Sequence, residues 1–240
     1  MKYAVIAAGE GSRLAAEGIE SPKPLVKVDG EMLIDRLIRI FMDNDAEEIV
    51  VICNDLTTLV SRHLLDLQQN GLKGRPIPLR FVVKSTPSSM HSFFEISRYL
   101  NDGPFCLTTV DTIFRPEEFK AYIDAFRQQA DDGVEGLMGV TDYIDDEKPL
   151  YVEVDDNSRI TAFLDKSDEC KYISGGIYGL TQRAITTLQA CIDRGESRMR
   201  NFQRALIADG LKLKAYPFTK VLDIDHASDI EKAEEFLNIK

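Results

Sequence analysis

Strand-like and helix-like segments alternate through the first 140 residues of the chain, and this alternation constrains the fold more than any other feature. Short apolar runs that predict buried strands occupy residues 3–8, 48–53, 79–83, 105–110 and 134–140. Segments with helical spacing of apolar residues lie between them, at 31–44, 56–69, 90–100 and 116–130. Strands that alternate with helices in this way form a parallel sheet with right-handed crossovers. We therefore predict an α/β fold with a Rossmann-like, mostly parallel sheet flanked by helices.

The second half of the chain is richer in β-strand patterns. Residues 151–164 predict a β-hairpin with its turn at 155–158, so we expect a small β-rich insertion. Further strands and helices are predicted at 172–180, 181–193, 200–208 and 211–216. The pattern Ser228-x-x-Glu231 is a capping box and predicts the start of the last helix. No linker rich in Pro, Gly or Ser interrupts the pattern, and residues 1–240 are predicted to form a single domain.

A glycine-rich loop follows the first predicted strand. Gly9 and Gly11 allow a tight turn and close approach of the backbone to a ligand, while Arg13 and Lys23 supply donors suited to phosphate. The loop is not a P-loop, which ends in Gly-Lys-Ser/Thr, and Leu14 stands where a dinucleotide fingerprint has its third glycine. A plain strand-to-helix turn is the alternative, but the added cations favour a phosphate cradle.

These residues also carry a resemblance to a known family. An apolar strand followed by Ala-Gly-x-Gly-x-Arg and then Lys-Pro-Leu resembles the nucleoside-triphosphate transferases, which include the sugar-1-phosphate nucleotidyltransferases. The resemblance implies transfer of a nucleoside monophosphate from a triphosphate to a phosphorylated acceptor, most often a sugar 1-phosphate, with release of pyrophosphate. Residues 1–140 would then bind the nucleotide, and residues 141–240, with the β-rich insertion, would bind the acceptor.

The resemblance assigns roles to the residues of the loop. Arg13 would hold the leaving pyrophosphate, and Lys23 would neutralise the α-phosphate. The backbone at Ala7, Ala8, Gly9 and Gly11 would bind the nucleotide and line the base pocket. Ser89 lies in the segment 85–92, where relatives contact the base or sugar, and Ser88 or Ser89 could bond a base edge. A plain helix N-cap is an equal alternative for these serines.

Three aspartates are candidate ligands for Mg²⁺, the cofactor that the resemblance implies. Asp111 follows the strand at 105–110, where ligands bind in open α/β sheets. Asp223 and Asp225 alternate along the chain, so on an extended backbone they face the same side. Carboxylate oxygens suit Mg²⁺. Asp111 and Asp223 are the preferred ligands, and Asp225 could instead cap the last helix.

The acceptor site is implied by two weaker motifs. Asp165 and Lys166 stand where relatives have Glu-Lys-Pro, so Asp165 would contact the acceptor and Lys166 its phosphate. Gly176 lies in Ser-Gly-Gly-Ile-Tyr, which resembles the Asn-x-Gly-Ile-Tyr element of the family. The shorter acid at position 165 and the missing Asn keep a choline-phosphate cytidylyltransferase-like enzyme open. A catalytically inactive, nucleotide-binding regulatory protein is the other alternative.

Composition excludes several further classes. The net charge of −11 argues against binding to a nucleic-acid polymer, which requires a concentrated basic face. No apolar stretch approaches the length of a membrane span, and no signal peptide is recognised. The four cysteines form no CxxC pair and are predicted to be reduced and buried, so we expect a cytoplasmic protein. The three histidines share no ligand spacing that would predict a zinc site.

Overall fold

A computed structural model of the chain describes residues 1–145 and 147–238. Its strands are β1 (Lys2–Ala7), β2 (Lys27–Val28), β3 (Glu31–Met32), β4 (Glu48–Cys53), β5 (Leu79–Val83), β6 (Phe105–Thr109), β7 (Thr112–Ile113), β8 (Gly136–Thr141), β9 (Tyr151–Val154), β10 (Ile160–Leu164), β11 (Tyr172–Leu180), β12 (Leu213–Phe218) and β13 (Leu222–Asp223). Its α-helices are α1 (Ser12–Ala16), α2 (Leu33–Met42), α3 (Thr58–Asn70), α4 (Ser89–Ser97), α5 (Pro116–Asp131), α6 (Gln182–Asp193), α7 (Met199–Ala208) and α8 (Ala227–Asn238).

The central sheet is mixed and mostly parallel, as predicted. Its strands lie in the order β12-β8-β11-β6-β1-β4-β5. β1 is parallel to β4 and β6, and β8 is parallel to β12, whereas β11 runs antiparallel to both of its neighbours, β6 and β8. The hairpin of β9 and β10, predicted from the pattern at 151–164, joins the sheet through the first residues of β11.

The two faces of the sheet bury separate apolar clusters because side chains alternate along each strand. In β1, Tyr3 and Val5 pack into the cluster covered by α2, α3, α5 and α8, whereas Ala4 and Ile6 pack into the cluster covered by α4, α6 and α7. Helices on both faces account for the nearly continuous apolar sequence of the central strands.

Most predicted elements are confirmed within a few residues, but the predicted start of the second helix is wrong. The predicted helix at 31–44 begins only at Leu33, because Glu31 and Met32 form β3 and pair with β2. Asp29 and Gly30 connect the two strands with φ angles of 51° and 76°. An Asp-Gly pair is the preferred sequence for such a two-residue hairpin turn, so the signal was present in the sequence.

The last helix begins at Ala227, before the predicted capping box, so that box is also wrong. Ser228 lies inside the helix, and the Asp229 carboxylate accepts hydrogen bonds from the backbone N–H groups of Asp225 (3.1 Å) and His226 (2.8 Å). Glu17, at the end of α1, accepts a further bond from the N–H of Ala227 at 2.6 Å. These bonds satisfy backbone donors at the start of the helix that would otherwise lack partners.

Two further expectations from the sequence concern the burial of the cysteines and the length of the apolar helices. Cys53, Cys106 and Cys191 are buried and free, as predicted, whereas Cys170 is free but only partly buried. In the part of the chain that the structure describes, no helix combines the length and apolar character needed to cross a bilayer.

Candidate active site

A cavity of about 570 Å³ opens at the carboxyl-terminal edge of the sheet. The segments that follow β1, β4, β5 and β6 all contribute to its walls, as expected for ligand sites in open α/β sheets. We call it the larger cavity. Its walls include residues of the glycine loop and several charged or polar side chains: Ala8, Gly9, Gly11, Arg13, Lys23, Asn54, Ser88, Ser89, Asp111 and Asp225.

The glycine loop is fixed by a residue that the sequence analysis missed. Asn54 follows β4 and donates hydrogen bonds to the carbonyl oxygens of Ala8 (3.3 Å) and Gly9 (3.1 Å). Its own side-chain oxygen accepts a bond from the N–H of Leu56 at 3.2 Å. The only signal for it was its place directly after an apolar strand. Ala7, predicted with the loop, is buried in the core and does not line the larger cavity.

Position 11 requires a glycine because of its backbone conformation and because Lys23 lies close to it. Its φ of +64° lies in the left-handed region that glycine adopts without strain. A Cβ at this position would lie 3.3 Å from the Cβ of Lys23, so the loop and the Lys23 segment pack closely together. Lys23 itself begins a short 3₁₀ turn, Lys23–Leu25.

Lys23 joins two of the three predicted aspartates. Its Nζ donates to Asp111 and to Asp225, the latter at 2.7 Å. The Arg13 guanidinium donates to the other oxygen of Asp225 at 2.9 Å. Arg13, Lys23, Asp111 and Asp225 therefore form one ion-pair network from residues far apart in sequence, which we call the Lys23 network.

Burial and charge oppose each other in the Lys23 network. Burial by itself would lower the pKa of Lys23, but the charges and hydrogen bonds of Asp111 and Asp225 outweigh it and raise that pKa. Burial likewise disfavours ionised Asp225, yet the bonded Lys23 and nearby Arg13 hold its pKa below the usual range. Lys23 and Asp225 are thus both kept charged near neutral pH.

Asp223 is not part of the network. It ends β13, which pairs with β7, and it stands opposite Thr112 in that pairing. β13 ends there, and Asp225, two residues further along the chain, accepts the hydrogen bond from Lys23. Asp223 and Asp225 do both line a second cavity of about 250 Å³, in agreement with the predicted alternation.

The second cavity adjoins the larger one, since Arg13 and Asp225 line both. Its walls are rich in carboxylates: Asp145, Glu147, Asp223, Asp225 and Asp229. Lys232 is held between Asp145 (2.7 Å) and Asp229 (3.2 Å). Tyr143 adds an aromatic ring.

Asp165 and Lys166 lie outside both cavities. Asp165 is bound by two arginines of α7, Arg200 at 2.5 Å and Arg204 at 2.8 Å. Lys166 is exposed, and no residue in 1–145 or 147–238 forms an ion pair or hydrogen bond with its side chain. The structure therefore does not bring this pair to the Lys23 network.

Ser88 and Ser89 line the larger cavity, whereas Gly176 lines neither cavity, although its neighbour Gly175 lines the second one. A Cβ on Gly176 would lie 3.0 Å from Oγ1 of Thr112, directly after Asp111, and its φ is +70°. Ser88 precedes α4, but its hydroxyl makes no capping bond and contacts His91 Nδ1 at 2.9 Å instead. Ser89 begins α4 and lines the larger cavity.

Comparison with known proteins identifies the family. The model of the nucleotidyl transferase family matches residues 2–239. The chain belongs to the nucleotidyl transferase family. The resemblance drawn from the glycine loop is thereby confirmed.

Individual relatives of this nucleotidyl transferase are distant but cover its whole length. It is 25% identical to the UTP–glucose-1-phosphate uridylyltransferase AglF of Haloferax volcanii, over 99% of this chain and 96% of that protein. A putative glucose-1-phosphate thymidylyltransferase from Bacillus anthracis has a similar structure, with a TM-score of 0.82 at 18% identity and coverage of 100% and 96%. The CTP:phosphocholine cytidylyltransferase of Streptococcus pneumoniae has a TM-score of 0.76 at 18% identity, with 99% of both chains covered.

The donor set of this nucleotidyl transferase fits a magnesium ion. Within residues 1–145 and 147–238, no three acidic, histidine or cysteine side chains are grouped so that they could hold a metal ion by themselves. Asp111 and Asp225, however, already converge on one cation, the ammonium of Lys23. Mg²⁺ is commonly held by only one or two carboxylates together with waters and substrate phosphates. Two converging carboxylates beside a polar cavity therefore suffice.

Proposed function

We propose that this protein transfers a nucleoside monophosphate from a nucleoside triphosphate to a phosphorylated small molecule, with a sugar 1-phosphate as the leading acceptor, and releases pyrophosphate. The observation that carries the proposal is the Lys23 network at the junction of the two cavities. We assign the triphosphate to the larger cavity and the acceptor to the second cavity. Their phosphates would then meet beside two cations and two carboxylates.

The reaction needs charge neutralisation rather than a general base. The attacking oxygen belongs to a phosphate that is already ionised at neutral pH, so no proton must be removed from it. It attacks the α-phosphorus in line with the departing pyrophosphate. The contribution of the protein is to position the two phosphates and to stabilise the negative charge that builds up between them.

Arg13 and Lys23 have distinct positions for this purpose. Half of the Arg13 side chain is exposed, and it lines both cavities, so its guanidinium is available to the pyrophosphate group. The Lys23 side chain is only 11% exposed, which suits a charge applied to the α-phosphate deeper in the site. Both cations are now paired with Asp225, and phosphate oxygens would take its place.

Asp111 and Asp225 are the residues that would hold Mg²⁺. When bound, the ion would supply Lewis-acid stabilisation of the phosphate oxygens. The backbone holds the two carboxylates close together, since the N–H of Ile224 donates to the carbonyl of Asp111 at 3.1 Å. Asp223 is assigned instead to the wall of the acceptor cavity.

The base and sugar of the nucleotide would contact the remaining walls of the larger cavity. The loop from Ala8 to Gly11 forms one side, and Asn54 fixes its carbonyl groups. Ser88 and Ser89 form part of the opposite side. Ser89 is the better candidate for a base contact, because the hydroxyl of Ser88 is already engaged by His91.

A phosphocholine acceptor is a second candidate, favoured by the charge of the second cavity. Among the described residues that line this cavity, five carboxylates outnumber Arg13, Lys232 and the imidazole of His226. Tyr143 contributes an aromatic ring that already lies 4.0 Å from the ammonium of Lys220, which shows that this ring accepts a cation. A quaternary ammonium is attracted by the charge of the carboxylates and by the ring, whereas a neutral sugar interacts with the carboxylates only through hydroxyl hydrogen bonds. The phosphate of either acceptor would still point toward Arg13.

A screen of substrate pairs tests the proposal. Each of the four ribonucleoside triphosphates is incubated with a panel of sugar 1-phosphates or with phosphocholine, and pyrophosphate release is measured. We expect release that requires both substrates. Binding of a triphosphate without release for any acceptor would favour the inactive regulatory protein, and failure of every triphosphate to bind would refute the assignment of the larger cavity.

A further inference from the structure

Lys23 holds together the two carboxylates that we assign to the metal. Its Nζ lies 2.7 Å from Asp225 and also donates to Asp111, while Arg13 occupies the second oxygen of Asp225. The free protein therefore already has a cation between these two carboxylates.

A free metal ion must compete with this arrangement. Two carboxylates at one site repel each other unless a positive charge lies between them. Lys23 supplies that charge. It stands between Pro22 and Pro24 at the start of a short 3₁₀ turn, so its ammonium is always present at a high local concentration. Mg²⁺ also loses its hydration shell reluctantly, which weakens it as a competitor.

We infer that Lys23 is a built-in substitute for the divalent cation, and that Asp111 and Asp225 accept the metal only after a substrate phosphate draws the ammonium away. The metal and the triphosphate would therefore enter together, and the protein alone would bind the metal weakly. The identity of the phosphate rests on the proposed function, but the competition between Lys23 and the metal does not.

The test is a titration of nucleotide-free protein with Mn²⁺, followed by electron paramagnetic resonance. Lys23→Met should bind Mn²⁺ about tenfold or more tightly than the wild type, because the competing charge is removed. Lys120→Met is the matched control. Lys120 pairs with a single exposed carboxylate, Asp124, at 3.0 Å on α5, so this variant removes the same charge without freeing two converging carboxylates. It should bind Mn²⁺ as the wild type does.

Two further variants separate the loss of the Lys23 charge from misfolding and from metal binding elsewhere. Lys23→Gln retains a hydrogen-bond donor without the charge and should also gain affinity, even if Lys23→Met folds poorly by circular dichroism. Combining Lys23→Met with Asp111→Asn should abolish the gain, because one of the two carboxylates is then neutral. Adding a nonhydrolysable triphosphate to the wild type should produce a protein-bound Mn²⁺ signal that neither component gives alone.

Several results would overturn the inference. One is a wild type that binds Mn²⁺ without nucleotide as tightly as Lys23→Met does. Others are Lys23 variants that gain nothing, or an equal gain in Lys120→Met. If both Lys23 variants unfold, tight binding of Mn²⁺ to the free wild type overturns the inference, and binding only with triphosphate supports it. Calorimetry that finds no triphosphate binding would refute the proposed function alone.

Discussion

Asn54 controls the shape of the glycine loop, and replacing it by alanine should damage stability and nucleotide binding together. The side chain is 9% exposed and makes three hydrogen bonds, two to the carbonyls of Ala8 and Gly9 and one from the N–H of Leu56. Asn54→Ala removes all three. Nothing else in the described chain is seen to bond those two loop carbonyls.

The magnitude follows from the geometry of these bonds. A hydrogen bond contributes a net of about 0.5–1.5 kcal/mol, and these three, at 3.1–3.3 Å, are long. Water from the larger cavity can replace part of each bond, so we expect a total loss of about 1–2 kcal/mol. For a chain of this size, that lowers the melting temperature by about 2–8 °C. Loosening the loop should weaken triphosphate binding by about tenfold, equivalent to roughly 1.4 kcal/mol.

Thermal unfolding and titration calorimetry with a triphosphate measure the two effects. Asn44→Ala is the matched control, because Asn44 is also buried and donates to the Ile40 carbonyl at 2.8 Å, far from the cavities. It should lower the melting temperature without changing nucleotide affinity. Asn54→Asp should bind the triphosphate more weakly still, since it places a carboxylate against the loop carbonyls. Wild-type affinity in Asn54→Ala, or an equal loss in Asn44→Ala, would refute the reasoning.

Three further predictions concern separate parts of the molecule. Arg13→Ala should weaken triphosphate binding by about ten- to a hundredfold, whereas Lys166→Ala should leave it unchanged, as calorimetry can measure. The hydrogen bond to Asp35 raises the pKa of His63 above 6.5, so this pair stabilises the protein fully below pH 6.5 and loses its effect as pH rises through the folded pKa. A left-handed φ costs about 1–2 kcal/mol, and Gly176→Ala should destabilise the fold by more than that because its Cβ would also lie 3.0 Å from Oγ1 of Thr112; urea unfolding measures the loss.

Each of these has a control or a contradicting result. Equal losses of triphosphate affinity in the Arg13 and Lys166 variants would contradict the prediction and place both residues at the triphosphate site. Asp35→Asn should destabilise the protein more at about pH 5.5 than at about pH 8.5, and a constant difference would contradict the His63 assignment. Gly30→Ala has a similar φ but open space around the new Cβ, so a cost as large as that of Gly176→Ala would exclude a steric contribution from Thr112.

The sheet and its ligand edge could be predicted from the sequence because their signals are local. Apolar runs such as residues 48–53 and 79–83 coincide with β4 and β5, and Asp111 was located by its place after β6. The glycine loop was recognised from residues within one short segment. Asn54 was missed because a single asparagine after a strand is usually only a turn residue.

The ion pairs of the site could not be derived in this way. Lys23 and Asp225 are 202 positions apart, and which of two alternating aspartates reaches the lysine depends on where β13 stops. β13 ends at Asp223, which stands opposite Thr112. Asp223 and Asp225 both line the second cavity, and it is Asp225 that accepts a hydrogen bond from Lys23.

The predicted acceptor residues Asp165 and Lys166 lie outside both cavities, and the ion pairs of Asp165 show how that carboxylate is engaged instead. Arg200 and Arg204 are four residues apart on α7, so they lie on the same face of that helix and both reach Asp165. An acid engaged by two arginines is a poor hydrogen-bond acceptor for an additional hydroxyl group. On the proposed function, recognition of the acceptor would then depend on the walls of the second cavity, which include Tyr143 and Asp223. Substitutions at these two positions, rather than at Asp165, should therefore change which acceptor is used.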